Sequence, residues 1–142
     1  MIRFLFLICF LCAFGSFPAV AVYKNYLAAK TCIPSKHASL EGLTVRIPIS
    51  EFRKRLVSNG WQPLDVRWQA RPDRNVISGY LYDYIDQGYW EVVACSPTGL
   101  SYCKFHWTDV YQNLLAVITA GEREPDGVVD QYVAKFVFDC DR

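Results

Sequence analysis

The sequence has almost no surplus of charge: 15 Lys and Arg stand against 14 Asp and Glu in 142 residues, a formal net charge of +1. Without a basic field to neutralise phosphates, nucleic acid is excluded as a partner class. Histidine is scarce, with only His37 and His106. No serine or cysteine sits in a recognisable nucleophile elbow, and no Gly-rich phosphate loop is present. The acids of the stretch 121–127, Glu122, Glu124 and Asp126, do not follow the Asp-x-Asp-x-Asp-Gly calcium pattern and read as a charged, solvated loop. Internal repeats and low-complexity tracts are absent as well. No catalytic constellation, metal or cofactor is expected from these residues.

Also missing is an apolar run long enough to span a bilayer, which takes about 20 residues. The one candidate, residues 4–14, is interrupted by Gly15, Ser16 and Pro18. Arg3 precedes it and Ala19-Val20-Ala21 follows it, the layout of a signal peptide cleaved after Ala21. The C-x-x-C spacing of Cys9 and Cys12 lies inside this run and leaves with it, so it is not a redox motif. Residues 22–142 then form a single domain, formally neutral, not attached to a membrane, and delivered to the periplasm or secreted.

What the chain has in quantity is apolar and aromatic side chains, 52% and 15% of its residues, enough to offset the ordering entropy of a fold. The exported part also keeps four cysteines, Cys32, Cys95, Cys103 and Cys140. In an oxidising compartment an even number points to disulfides, with three possible connectivities. Two strand-like runs, residues 89–94 and 102–107, flank the turn Ser96-Pro97-Thr98-Gly99 and place Cys95 and Cys103 on either side of it. A bridge there closes a short loop worth about 2.5 kcal/mol in the chain-entropy model. Cys32 and Cys140 pair by default, closing roughly a hundred residues for about 4.7 kcal/mol in the same model. A metal site using Cys95, Cys103, Cys140 and His106 is the alternative, but the spacing lacks the short knuckle of zinc ribbons.

Residues 22–43 read as an irregular arm, with His37 a solvated side chain on it. Residues 48–59 are the best helix: Pro48 suits the first turn, Glu51 complements the helix dipole, Gly60 offers a left-handed cap, and Ile49, Phe52, Leu56 and Val57 make one apolar stripe. Arg53, Lys54 and Arg55 are its solvated face. Trp61 should pack back on the helix end. Val66 and Trp68 alternate with polar residues as a strand, and residues 70–75 form an exposed loop. Residues 80–85 read as extended, with Tyr80, Tyr82 and Tyr84 sharing a face. Residues 114–119 and 128–138 complete a meander, and in the last strand Tyr132, Ala134, Phe136 and Phe138 should face the helix. The fold class is α+β: one amphipathic helix packed on a disulfide-stapled antiparallel meander sheet of four or five strands.

The density of rings at Tyr80, Tyr82, Tyr84, Tyr89 and Trp90 is the feature that leans toward binding, since such side chains give rigid amphipathic contact area; core packing explains the same residues. His106, on one face with Lys104 and Tyr102, is either a general base or an ordinary cross-strand histidine.

Three segments carry a resemblance. Gly-Tyr-x-Glu-Val-x-x-Cys-x-x-Thr-Gly-x-x-x-Cys-x-Phe at 88–105, Leu-x-Val-x-Thr-x-Gly-Glu at 115–122, and Asn-Gly-Trp-x-Pro at 59–63 resemble a group of small exported bacterial proteins of unassigned function. The resemblance implies a helix preceding a cysteine hairpin and a location in the bacterial envelope, and it transfers no catalytic residue. Residues 71–87 depart from it as an insert-like stretch. The leading expectation is a non-catalytic binding module of the periplasm or exterior, inhibitor-like or immunity-like. Its partner, another envelope or secreted protein, would dock on the tyrosine-rich segment or the 96–101 loop. The alternatives are a small envelope hydrolase using His106 and a purely structural envelope protein.

Overall fold

The computed structural model describes residues 32–69, 78–122 and 129–140. Every described residue belongs to one compact unit, which spans Thr31–Arg142. The expected signal peptide, the Cys9 and Cys12 pair, the 70–75 loop, Glu124 and Asp126 lie outside the described residues.

Helix α1, Ile49–Ser58, forms where the apolar stripe is. Ile49, Phe52 and Leu56 are buried and Val57 is left exposed. No side chain of its own caps it. Its first donors are satisfied from far along the chain: Ile49 N–H donates to the Gln131 carbonyl at 2.9 Å, and Ser50 N–H and Oγ–H donate to the Asp130 carboxylate at 3.0 and 2.6 Å. The orphan groups of a helix start are thereby paired with the last strand's lead-in. The chain leaves through Asn59 and Gly60, whose φ of +88° is the left-handed cap that glycine allows. Trp61 follows, buried, its Nε1–H donating to the Ser39 carbonyl at 2.9 Å.

The strands are β1 Gln62–Pro63, β2 Val92–Cys95, β3 Cys103–Thr108, β4 Leu114–Ala120 and β5 Tyr132–Phe138. All pairings are antiparallel. β3, β4 and β5 lie side by side, while β1 and β2 share the other edge of β3: β1 pairs Trp107 and Thr108, and β2 pairs the Cys103 to Phe105 end. The fold is thus α+β, with a small helix packed on a five-stranded antiparallel sheet. Cys95 stands opposite Cys103 in register and is bonded to it, with Cα atoms 4.0 Å apart; Cys32 and Cys140 are joined with Cα atoms 6.4 Å apart.

Cys103, Phe105 and Trp107 of β3 and Leu115 and Val117 of β4 point to the helical side and are buried. There they meet Phe52, Leu56 and Trp61. Phe136 of β5 packs 5.3 Å from Phe52, and Phe138 lies 5.9 Å from Trp61.

Four local expectations need correction. Residues 80–85 are not extended; Leu81–Asp86 is a short helix, α2. The spacing that decided this is Leu81, Tyr84, Ile85, a three-and-four repeat that buries Leu81 and Tyr84 and packs Ile85 on the core. Gly79 before it has a φ of +58° and presses its Cα against the Ser96 carbonyl, where a Cβ would collide. Second, Val66 and Trp68 are not strand residues. Asp65 accepts the Arg67 N–H at 3.0 Å, and this side-chain-to-backbone turn bends residues 65–69 away from the sheet. Third, β5 does not alternate throughout. A register shift where Ile118 faces Lys135 and Thr119 faces Val133 inserts one extra residue. Phe136 and Phe138 face the helix as expected, but Val133 turns inward and Tyr132 outward, because the bulge flips everything before it. Fourth, His37 is half-buried rather than solvated, its ring 5.1 Å from Phe138 and its Nδ1 2.7 Å from the Ala38 carbonyl oxygen.

Candidate functional site

The ring-rich segment separates into an inside and an outside. Tyr84 is 0% and Tyr89 9% exposed, and both belong to the core. Tyr80 and Tyr82 are half-buried against it. Trp90 is 46% exposed. The segment therefore does not present a tyrosine face.

Tyr84 sits edge-on to Phe105, centroids 4.9 Å apart at 86°. Its hydroxyl accepts the Gln131 backbone N–H at 3.0 Å and lies 3.4 Å from Gln131 Oε1. The same Oε1 accepts the Thr119 hydroxyl at 2.8 Å, while Gln131 Nε2 donates to the Ser101 and Gly121 carbonyls at 2.7 and 2.6 Å. One buried amide thus ties α2, β4, the hairpin exit and the lead-in to β5. Burial pushes the Tyr84 phenol far above its ordinary pKa and raises that of Tyr89.

Beside Tyr89 lies an ion pair between a buried carboxylate and a half-buried guanidinium. Arg53 Nε is 2.9 Å from Glu91 Oε1, with the Glu91 side chain 1% exposed, and the guanidinium lies 4.7 Å over the Tyr89 ring. Burial raises the Glu91 pKa; its own backbone N–H and Arg53 pull it down without cancelling that effect. Asp109, also buried, goes the other way. Burial raises it, but the Asn113 side chain and the N–H groups of Ala38, Asn113 and Tyr111 all donate to it, at 2.8 to 3.0 Å, and hold its pKa below the ordinary value.

The outside is built around Trp90. Val66, itself buried, donates its N–H to the Trp90 carbonyl at 3.1 Å, so residues 65–69 run beside it. Arg67 stacks on the Trp90 ring at 3.9 Å, and its Nε is held 3.0 Å from both Asp65 carboxylate oxygens. Trp68, 79% exposed, is fixed by its Nε1–H donating to the Asp65 carbonyl at 2.9 Å. A solvent-facing indole and an aromatic-stacked guanidinium thus sit on one turn, and the second exposed indole, Trp90, lies beside it under the guanidinium. Sequence reasoning placed Trp68 on a strand and passed over Arg67. The signal that was available is the Asp-x-Arg-Trp order at 65–68, in which Asp65 can cap its own turn.

On the sheet face away from the helix, His106 Nε2 lies 3.6 Å from Asp139 Oδ2, and Lys104 Nζ donates to the same oxygen at 2.8 Å. His106 is mostly buried rather than exposed, and its acid comes from beyond the end of β5. The four cysteines of the described residues are in disulfides, which leaves no thiol there for His106 to activate. Among the described residues no group of three His, Cys, Asp or Glu side chains is placed to hold a metal ion, and no helix is long and apolar enough to cross a membrane. No family model, curated protein or solved structure matches the chain.

Proposed function

We propose that this protein is a non-catalytic binding module of the periplasm or cell exterior, and that its contact surface is the Trp68, Arg67 and Trp90 platform. The observation that carries the reading is the exposure of both indoles, 79% for Trp68 on the turn that Asp65 holds in place and 46% for Trp90, which Arg67 of that turn stacks on. Trp and Arg are the side chains that most often anchor interfaces, and a platform already held in one conformation loses little entropy on docking. The two disulfides belong to an oxidising compartment, which supports export. The partner is another envelope or secreted protein, in an inhibitor-like or immunity-like relation. The resemblance to small exported bacterial proteins is consistent with this reading.

The test compares three baits, wild type, Trp68→Ala and Trp90→Ala, in capture from envelope extracts of the source organism. A partner retained by the wild type and lost by both variants, with the thermal midpoint unchanged in Trp68→Ala and only slightly lowered in Trp90→Ala, is the expected result; a blank wild-type lane at high bait concentration, or equal capture by all three, overturns the reading. A hydrolase reading keeps one observation in its favour, the His106 and Asp139 pair at 3.6 Å. It requires that His106→Ala abolish a measured hydrolysis, and a variant that retains it ends the idea.

A further inference from the structure

Among the described residues, the outer edge of the last strand is only half covered. Next to Val133 the chain closes that edge itself: Arg46 N–H donates to the Val133 carbonyl at 2.8 Å, and Val133 N–H to the Ile47 carbonyl at 2.9 Å. Past the bulge, Asp139 N–H donates inward to Leu114 at 2.8 Å. By the alternation of an antiparallel ladder, the N–H and C=O of Phe136 and Phe138 therefore point away from β4. Among the described residues nothing bonds to them there.

Along this open stretch runs an apolar groove of about 190 Å³, walled by Cys32, Ile33, Leu40, Leu115, Phe136 and Phe138, with Val137 also contributing to its lining. It is smaller than the roughly 300–1,000 Å³ of small-molecule pockets, and its size suits one aliphatic side chain. On the other face of the same strand, Val137 is 41% exposed, and Lys135 is exposed with no acidic partner among the described residues. Natural sheet edges are covered or charged, and among the described residues this stretch carries Lys135 beside an apolar groove.

We infer that the Phe136 to Phe138 edge accepts an additional antiparallel strand from an acidic extended peptide. The register fixes its chemistry. The residue opposite Phe136 exchanges both backbone hydrogen bonds with it and drops its side chain into the groove, so it is aliphatic. The residue before it lies over Val137 and is apolar. The residue after it lies opposite Lys135 and is Asp or Glu, the charge that complements the lysine. Main-chain bonds supply affinity and the alternate side chains supply selection. This surface is separate from the tryptophan platform.

The probe is the capped peptide Thr-Thr-Val-Leu-Glu-Thr-Thr, titrated into isotope-labelled mature protein and followed by amide chemical shifts. Saturable shifts centred on Phe136 and Phe138 are expected, lost when the peptide's Leu nitrogen is methylated and weakened about tenfold when its Glu is replaced by Lys. Lys135→Glu should reverse that preference, so that the Lys peptide binds better than the Glu peptide. Absence of shifts at Phe136 and Phe138, or binding indifferent to methylation, overturns the inference. So does a concentration-dependent dimer that shifts the same amides without peptide, because it shows a second copy to be the occupant. Trp68→Ala must leave the titration unchanged, which keeps this outcome distinct from that of the platform.

Discussion

Tyr89 and Trp90 are chain neighbours with opposite fates: the first is buried among Tyr84, Phe105 and Arg53, and the second carries a stacked Arg67 in solvent. The same contrast holds one step wider, with Tyr84 inside and Trp68 outside. Ring size and hydrophobicity do not explain the sorting, since indole is the larger apolar surface. Polar partners describe Tyr84 and Trp68 better, although Trp107 is buried with no partner for its Nε1–H among the described residues and is held inside by packing alone. The Tyr84 hydroxyl has Gln131 waiting at the end of its ring, whereas the Trp68 N–H is satisfied by a carbonyl three residues back on its own exposed turn. A buried aromatic with a polar tip usually has a partner at that tip, and one whose tip is satisfied locally is free to stay on the surface.

The interior half of that comparison breaks most severely at Tyr84. Tyr84→Ala empties a site in contact with Phe105 and Tyr89 and strips the Gln131 N–H of its acceptor. Loss of about 3–5 kcal/mol is expected from the cavity alone, read as a fall in the urea midpoint. Tyr84→Phe keeps the ring and isolates the polar part. Leaving the Gln131 N–H and amide short of a partner should cost about 1–3 kcal/mol. If Tyr84→Phe proves neutral, the hydroxyl does not hold the ring inside, and the account of the sorting given above fails.

Next in size is a pair of effects of opposite sign in pH, which probes whether satisfaction by donors governs buried acids as it does buried phenols. Asp109, with its pKa depressed, stabilises the fold fully above its unfolded pKa, and that stability is lost as pH falls through the folded value. Glu91 has its pKa raised, so the folded state binds its proton more readily and stability declines as pH rises above the unfolded value. Asp109→Asn should therefore flatten the acid limb of a stability profile, while Glu91→Gln should steepen it by removing the opposing term. The tyrosines repeat the Glu91 pattern in alkali: stability falls as pH rises above 10.0, because unfolded phenols ionise first. Stepwise phenolate absorbance, with Tyr84 and Tyr89 ionising after the exposed phenols, checks it.

How much of this was legible before the structure follows the reach of each signal. Helix α1 was readable because Ile49, Phe52, Leu56 and the glycine at 60 lie within a dozen residues of one another. The Cys95 and Cys103 bridge was readable because the turn between them is local, and the second bridge followed by elimination. Helix α2 was not, since alternating tyrosines over six residues match a strand as well as a helix, and burial of Leu81 and Tyr84 decided it. The bulge in β5 reassigned Tyr132 and Val133 through a register shift that no residue in the strand announces. Alternation alone put Gln131 on the strand face away from the helix, whereas it is buried, and Asp109 and Asp139 went unnoticed; the meaning of all three lies in partners 30 or more residues away, such as Ser101, Ala38 and Lys104.

The smallest expected effect on stability belongs to the outer half of the comparison, and it is the most informative about function. Trp68→Ala removes a side chain that is 79% exposed and whose hydrogen bond lies within its own turn. Surface substitutions of this kind usually stay within about 0.5 kcal/mol. Trp90→Ala also removes the stacking of Arg67, a contact worth about 0.5–1 kcal/mol at an exposed site, so it should fall slightly lower in a thermal scan. A large loss in either variant would mean that the indoles support the fold, and the platform would cease to be a candidate interface. Near-wild-type stability in both, together with lost capture, separates retention for binding from retention for packing, because a buried counterpart such as Tyr84 cannot lose one without the other.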